Sequence, residues 1–129
     1  MVFTYDYDTG YNGPALPVVE VGIQAMGKND RRTVLKAMVD SGADATMIPV
    51  RHLTRIGARK VDKRWMRGID GLRYPVDIYG ISVTVGPHTF HAVEVIGDRQ
   101  NQEALLGRDV LNQMVVTLNG LAYVVEISQ

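Results

Sequence analysis

Hydrophobic and polar positions along this chain recur with a period of two more often than with a helical period. From Pro17 the run PVVEVGIQAM carries Val and Ile at strand spacing, and RRTVLKAMVD over 31–40 reads as a second strand. With GKND between them as a turn, the two runs predict a hairpin whose second strand ends on Asp40-Ser41-Gly42. Pro49 then opens a short helix near VRHLTRIG. Residues 58–86 hold Trp65, Ile69, Val76, Ile78, Ile81, Val83 and Val85, with Gly68, Asp70 and Gly71 near the middle, which reads as a long hairpin with a mobile glycine tip. Another strand is expected over 88–96, followed by the polar loop GDRQNQE. In ALLGRDVLNQM, Leu105, Leu106, Val110, Leu111 and Met114 suit one apolar helical face, the helix starting after Gly107. Finally VVTL and LAYVVEI predict two strands joined across Asn119-Gly120, a strong two-residue hairpin signal. Residues 1–16, rich in Tyr, Asp, Gly and Asn, are expected to form an irregular arm packed by its aromatic rings. The organisation is mostly β and turn-rich.

Composition narrows the function more than the fold. The 129 residues, 46% apolar and 22% charged, suit one compact domain over 1–129. Zero cysteines exclude a thiol nucleophile, a thiolate zinc site and a disulfide framework. Fourteen basic and fourteen acidic side chains give formal charge zero, so no global field recruits nucleic acid or an anionic membrane, and neither is an expected partner. No apolar run approaches ~18 residues, and the start MVFTYDYDTGYNG lacks a signal pattern, so a soluble cytoplasmic chain is expected. His88 and His91, three apart on a strand, point to opposite faces without a third ligand nearby, so neither a metal nor any other cofactor is expected. Half of the basic residues lie between Arg51 and Arg67, with Asp62 the sole acid among them. A solvated face explains this cluster, and attraction of acidic or nucleic-acid-associated substrates is the alternative.

A carboxylate at the end of an apolar strand needs an explanation, because Asp is depleted in strands and costly to bury unpaired. Asp-Ser-Gly by itself is ordinary turn chemistry. The longer run AMVDSGADATMIP, however, resembles the active-site loop of the retropepsin-like aspartic proteases, with Ser41 at a position where threonine is commoner. The run ALLGRDVLN resembles their second signature, and 67 residues separate Asp40 from Gly107, with room for a flap between. The resemblance extends over about 18–127. The C-terminal half is more similar to the protease domain of eukaryotic DNA-damage-inducible ubiquitin-shuttle proteins than to the viral enzymes, which end near the equivalent of Asn119. About ten further residues here predict an extra strand.

The resemblance implies an all-β acid-protease barrel with one or two short helices and a flap hairpin. It makes Asp40 the catalytic carboxylate, one per chain, so that a dyad needs a homodimer. Ser41 would bond across the two-fold axis, and Gly42 would let backbone approach the substrate. Two carboxylates ~3 Å apart share one proton, and the pair would activate a water against a peptide bond. Ala43 offers no hydroxyl to the ionised pair, so activity should extend from mild acid towards neutrality. Ala43, Asp44 and Ala45, with Gly68, Ile69, Asp70 and Gly71 of the flap, are the implied contacts to a peptide or protein substrate. Asp70 departs from the uncharged viral flap. Subsites would draw on Ala45, Met47, Ile69 and Val95. Leu106, Gly107 and Arg108 would support the site, Arg108 through an ion pair to Asp44. A catalytically silent dimer of the same fold, reading extended peptides by strand addition, is the alternative function.

Overall fold

A computed structural model describes residues 1–27 and 31–128. Strands β2 (Val18–Ala25) and β3 (Arg32–Val39) pair antiparallel as expected, while the expected turn, GKND over 27–30, lies outside the described residues except for Gly27. The chain then forms β4 (Met47–Pro49), α1 (Val50–Arg55), β5 (Arg59–Arg67), β6 (Arg73–Val85) and β7 (His88–Asp98). It ends with β8 (Ala104–Leu106), α2 (Arg108–Leu111), β9 (Val115–Asn119) and β10 (Val124–Ser128). Strands β2-β3-β8-β4-β7-β6 lie side by side, and antiparallel pairing of β2 with β6 closes them into a six-stranded barrel. β5 hangs on the outer side of β6 as an edge strand.

Inside the barrel the apolar face of each strand meets its neighbours. Val21, Ile23, Ile48, Ile81, Val83, Val95 and Leu106 are fully buried there, joined by Leu53 from α1 and Val110 from α2. Burial of such side chains contributes roughly 1.5–3 kcal/mol each. The turn from β6 to β7 is Gly86-Pro87, with Gly86 at φ 56°, the positive value that a two-residue hairpin with glycine first demands. No described helix is long and apolar enough to cross a membrane.

Three sequence expectations change. Residues 2–6 form a strand, β1 (Val2–Asp6), paired antiparallel with β10, so the arm is irregular only beyond it. Phe3 and Tyr5 alternate inward against the core, but a strand this short holds only because β10 lies beside it. The second helix starts after Gly107 as expected, but Leu105 and Leu106, grouped by spacing with its apolar face, lie in β8, where pairing with β3 and β4 claims their backbone. The C-terminal hairpin turns over four residues, 120–123, and not across Asn119-Gly120. Asn119 Oδ1 accepts from Ala122 N at 3.0 Å, and Tyr7 N donates to Tyr123 O at 2.8 Å. Tyr123, at φ 56°, stacks its ring on Tyr7 with centroids 5.8 Å apart. These contacts to the N-terminal segment override the local turn preference. The extra strand β10 lies at the centre of a three-stranded sheet, between β1 and β9.

Candidate active site

The Asp40 loop leaves the end of β3 and is held by the second signature segment. Asp40 N donates to Leu106 O at 3.1 Å, extending the β3–β8 pairing by one residue. Gly42 N donates to the Asp40 carboxylate at 3.0 Å, and Ala43 N to Asp40 O at 3.2 Å, so the Asp-Ser-Gly turn folds back on its own acid. A Cβ on Gly42 would lie 3.2 Å from that carboxylate oxygen, tighter than ordinary contact. The Asp40 side chain is thus oriented by backbone and left half-exposed.

Helix α2 braces the loop from the other side. Arg108 donates to Ser41 O at 2.8 Å and pairs with the Asp44 carboxylate, while its N–H donates to Ala43 O at 2.9 Å. The Asp44 side chain is 91% exposed, so this pair contributes little to global stability and serves mainly to fix loop geometry. Gly107 sits against the loop backbone: a Cβ there would lie 2.6 Å from the Ala45 carbonyl carbon and 2.9 Å from Ala45 N. No side chain fits between these two segments.

The anchor beneath them is one that sequence reasoning missed. Thr46 is completely buried, and both its N–H (3.0 Å) and its hydroxyl (2.8 Å) donate to the Asp109 carboxylate. The Thr46 hydroxyl oxygen in turn accepts from Gly107 N at 3.1 Å, and Asp109 also accepts from Val110 N at 2.9 Å. This charge-assisted network fastens loop to helix. The available signal was an acid in the first turn of the helix, a favoured position near its N-terminus.

The flap is the hairpin of β5 and β6, and the hydrogen bonds described at its tip stay within it. Gly68 N donates to Leu72 O at 2.9 Å and Gly71 N to Gly68 O at 3.0 Å, with Gly71 at φ 80°. Asp70 accepts from Leu72 N at 3.0 Å and from the Tyr74 hydroxyl at 2.8 Å, so the residue that departs from the viral flap closes this one. That hydrogen bond to Asp70, then desolvation, holds the Tyr74 hydroxyl above its ordinary pKa. Ile69 projects fully into solvent.

Of the subsite candidates, Ala45 and Met47 are half-buried. Ala45 and Asp44 line an open groove of about 660 Å³ with Arg64, Phe90, Glu94 and Asp109. Met47 lines a second, of about 370 Å³, with Met66, Val76 and Ile96. Asp40 lines neither of these grooves. Val95 is fully buried in the barrel core and cannot form a subsite, because its place on β7 turns it inward. His88 bonds Ser128 O at 3.0 Å and His91 the Ser82 hydroxyl at 3.0 Å, and no metal-binding cluster occurs among the described residues.

Comparison with known proteins agrees with this construction. Residues 26–113 match the family described as "gag-polyprotein putative aspartyl protease". A search of curated proteins gave no significant match. A retropepsin-like aspartic protease from Rickettsia conorii has a similar fold, with TM-score 0.62 at 15% identity, over 98% of this chain and 91% of that one. The EIAV protease in complex with an inhibitor is similar at TM-score 0.50 and 26% identity, over 80% of this chain and 91% of that one. With an Asp-Ser-Gly loop braced by its glycine-arginine helix on a closed barrel, and a match over most of its length, this chain belongs to the gag-type aspartyl protease family of retropepsin-like fold.

Proposed function

We propose that the chain is an aspartic endopeptidase whose dyad forms from Asp40 of two identical subunits. The observation that carries the reading is the Asp40 carboxylate, held by Gly42 N on a loop braced by Arg108 and Asp109, with one such motif per chain. A single half-exposed carboxylate cannot act as acid and base together. A second one beside it completes the chemistry. One carboxylate then takes a proton from a bound water while the other donates a proton to the scissile carbonyl oxygen. The tetrahedral intermediate collapses with proton transfer to the leaving nitrogen, and no covalent enzyme intermediate forms.

On this reading Ser41 reaches across the two-fold axis to the partner's loop, and Ala43, Asp44 and Ala45 flank the substrate strand. Gly68, Ile69, Asp70 and Gly71 close over it, and Leu106, Gly107 and Arg108 keep the loop in place. The subunit contact is supported by β9, an edge of the three-stranded sheet, where Val115 and Leu118 are exposed. The test is peptide hydrolysis against protein concentration, with Asp40→Asn as control. Specific activity should fall on dilution, and the variant should fold yet cleave nothing. A light-scattering monomer that keeps its full specific rate refutes the dimeric dyad. Peptide binding without turnover by the parent refutes the peptidase reading.

A further inference from the structure

We infer that the outer edge and face of the flap strand β5 form an exosite that captures an extended acidic segment of a protein substrate. This deepens the proposed peptidase reading and rests on it for the word substrate. Residues 59–73 carry six cations and only two carboxylates, Asp62 and Asp70, in a chain whose formal charge is zero. The rest of the molecule therefore carries the compensating negative charge, and the flap is a positive projection from it.

Two of the six are already neutralised. Lys60 pairs with Asp77 at 3.2 Å, and Arg64 with Asp62 at 3.0 Å and Glu94 at 3.1 Å. Asp77, the carboxylate opposite Lys63 in the register, is already shared by Lys60 and Arg99. Lys63, Arg67 and Arg73 have no carboxylate partner among the described residues. Strand alternation puts Lys63, Trp65 and Arg67 on one face of β5, and the register sets Arg73 directly opposite Arg67. Arg73 also lies 5.7 Å over the ring of Trp65, which is 64% exposed. Like charges directly opposite on paired strands oppose folding. An anion between the two guanidinium groups reverses the sign of that interaction.

The backbone specifies an extended peptide. β5 ends its sheet, so one side of its main chain has no neighbouring strand and can accept one. Basic side chains on such an edge deter pairing with a second copy of itself. For an acidic strand the same charges attract. The edge already holds a carboxylate in this way: Asp62 accepts from Lys63 N at 2.8 Å and from Arg64 Nε at 3.0 Å, which keeps Asp62 below the ordinary carboxylate range. A single-stranded nucleic acid would also find cations and one ring, but not a use for the open strand edge.

Trp65 is the single tryptophan of the chain, so its fluorescence reports this face without any catalytic step. The probes are an oligoglutamate peptide, a neutral peptide of equal length and oligothymidylate, each titrated into the full chain. The glutamate peptide should change Trp65 emission saturably, and should weaken about tenfold or more between about 0.05 M and about 0.5 M salt. The double variant Lys63→Gln/Arg73→Gln should lose about tenfold in affinity for it. No response, an equal response to the neutral peptide, or tighter binding of oligothymidylate overturns the inference. Cleavage of peptides without this response sinks the exosite alone, whereas the response in a chain that cleaves nothing sinks the peptidase reading alone.

Discussion

Asp109→Ala tests whether the Asp40 loop depends on its buried anchor. Thr46 is completely buried, so when the Asp109 carboxylate is removed its N–H and hydroxyl cannot turn to water for an acceptor. Each buried donor left unsatisfied costs about 1–3 kcal/mol, more where the lost acceptor was charged, giving about 4 kcal/mol for the two. Against a total stability of about 5–15 kcal/mol, that is a large fraction. With a urea slope of about 2 kcal/mol/M, the denaturation midpoint followed by circular dichroism should fall by about 2 M. A double-mutant cycle with Thr46→Val should show coupling of at least about 1 kcal/mol, because both side chains belong to the chain of bonds running from Gly107 N through Thr46 to Asp109. A midpoint lowered by less than about 0.5 M, or additive single effects, would refute this account of the anchor.

Gly107→Ala should destabilise by about 1–3 kcal/mol or more and reduce peptidase activity, since its Cβ would lie 2.6 Å from the Ala45 backbone; an unchanged thermal midpoint speaks against that contact. Hydrogen bonds from Arg99 and then Lys60 hold the Asp77 carboxylate below its ordinary range, so Arg99→Gln should raise its titration midpoint towards the unperturbed value. The group is depressed in the folded chain, so any stability it contributes is present above the unfolded midpoint and disappears as pH falls through the folded one. NMR titration of the Asp77 carboxyl carbon checks this, and no upward move refutes it. Ala43→Ser adds a hydroxyl able to donate to the ionised dyad and should move the basic limb of the kcat profile to lower pH; an unmoved limb, or one moved upward, rules that role out.

Chemistry encoded within short windows of the chain could be read without the fold. Strands β2 and β6 were legible because Val and Ile recur in them at strand spacing, and Pro49 and Gly107 mark the helix starts by their backbone preferences. The Asp40 turn, the second signature and the Asp44–Arg108 pair were legible through a resemblance concentrated in two short runs. Tertiary structure decided whatever depends on partners distant in sequence. Asp109 and Thr46 stand 63 residues apart, and no local pattern ties a helix-start acid to one particular buried threonine. Residues 2–6 become a strand only because β10 lies beside them, and Asn119-Gly120 yields its turn to Tyr123 because Tyr7 supplies a ring and an N–H from the far end of the chain. Val95 looked like a cleft residue until closure of β2 onto β6 gave the barrel an inside. Local preferences are worth about 1 kcal/mol or less per residue, and burial with satisfied hydrogen bonds outweighs them wherever the two compete.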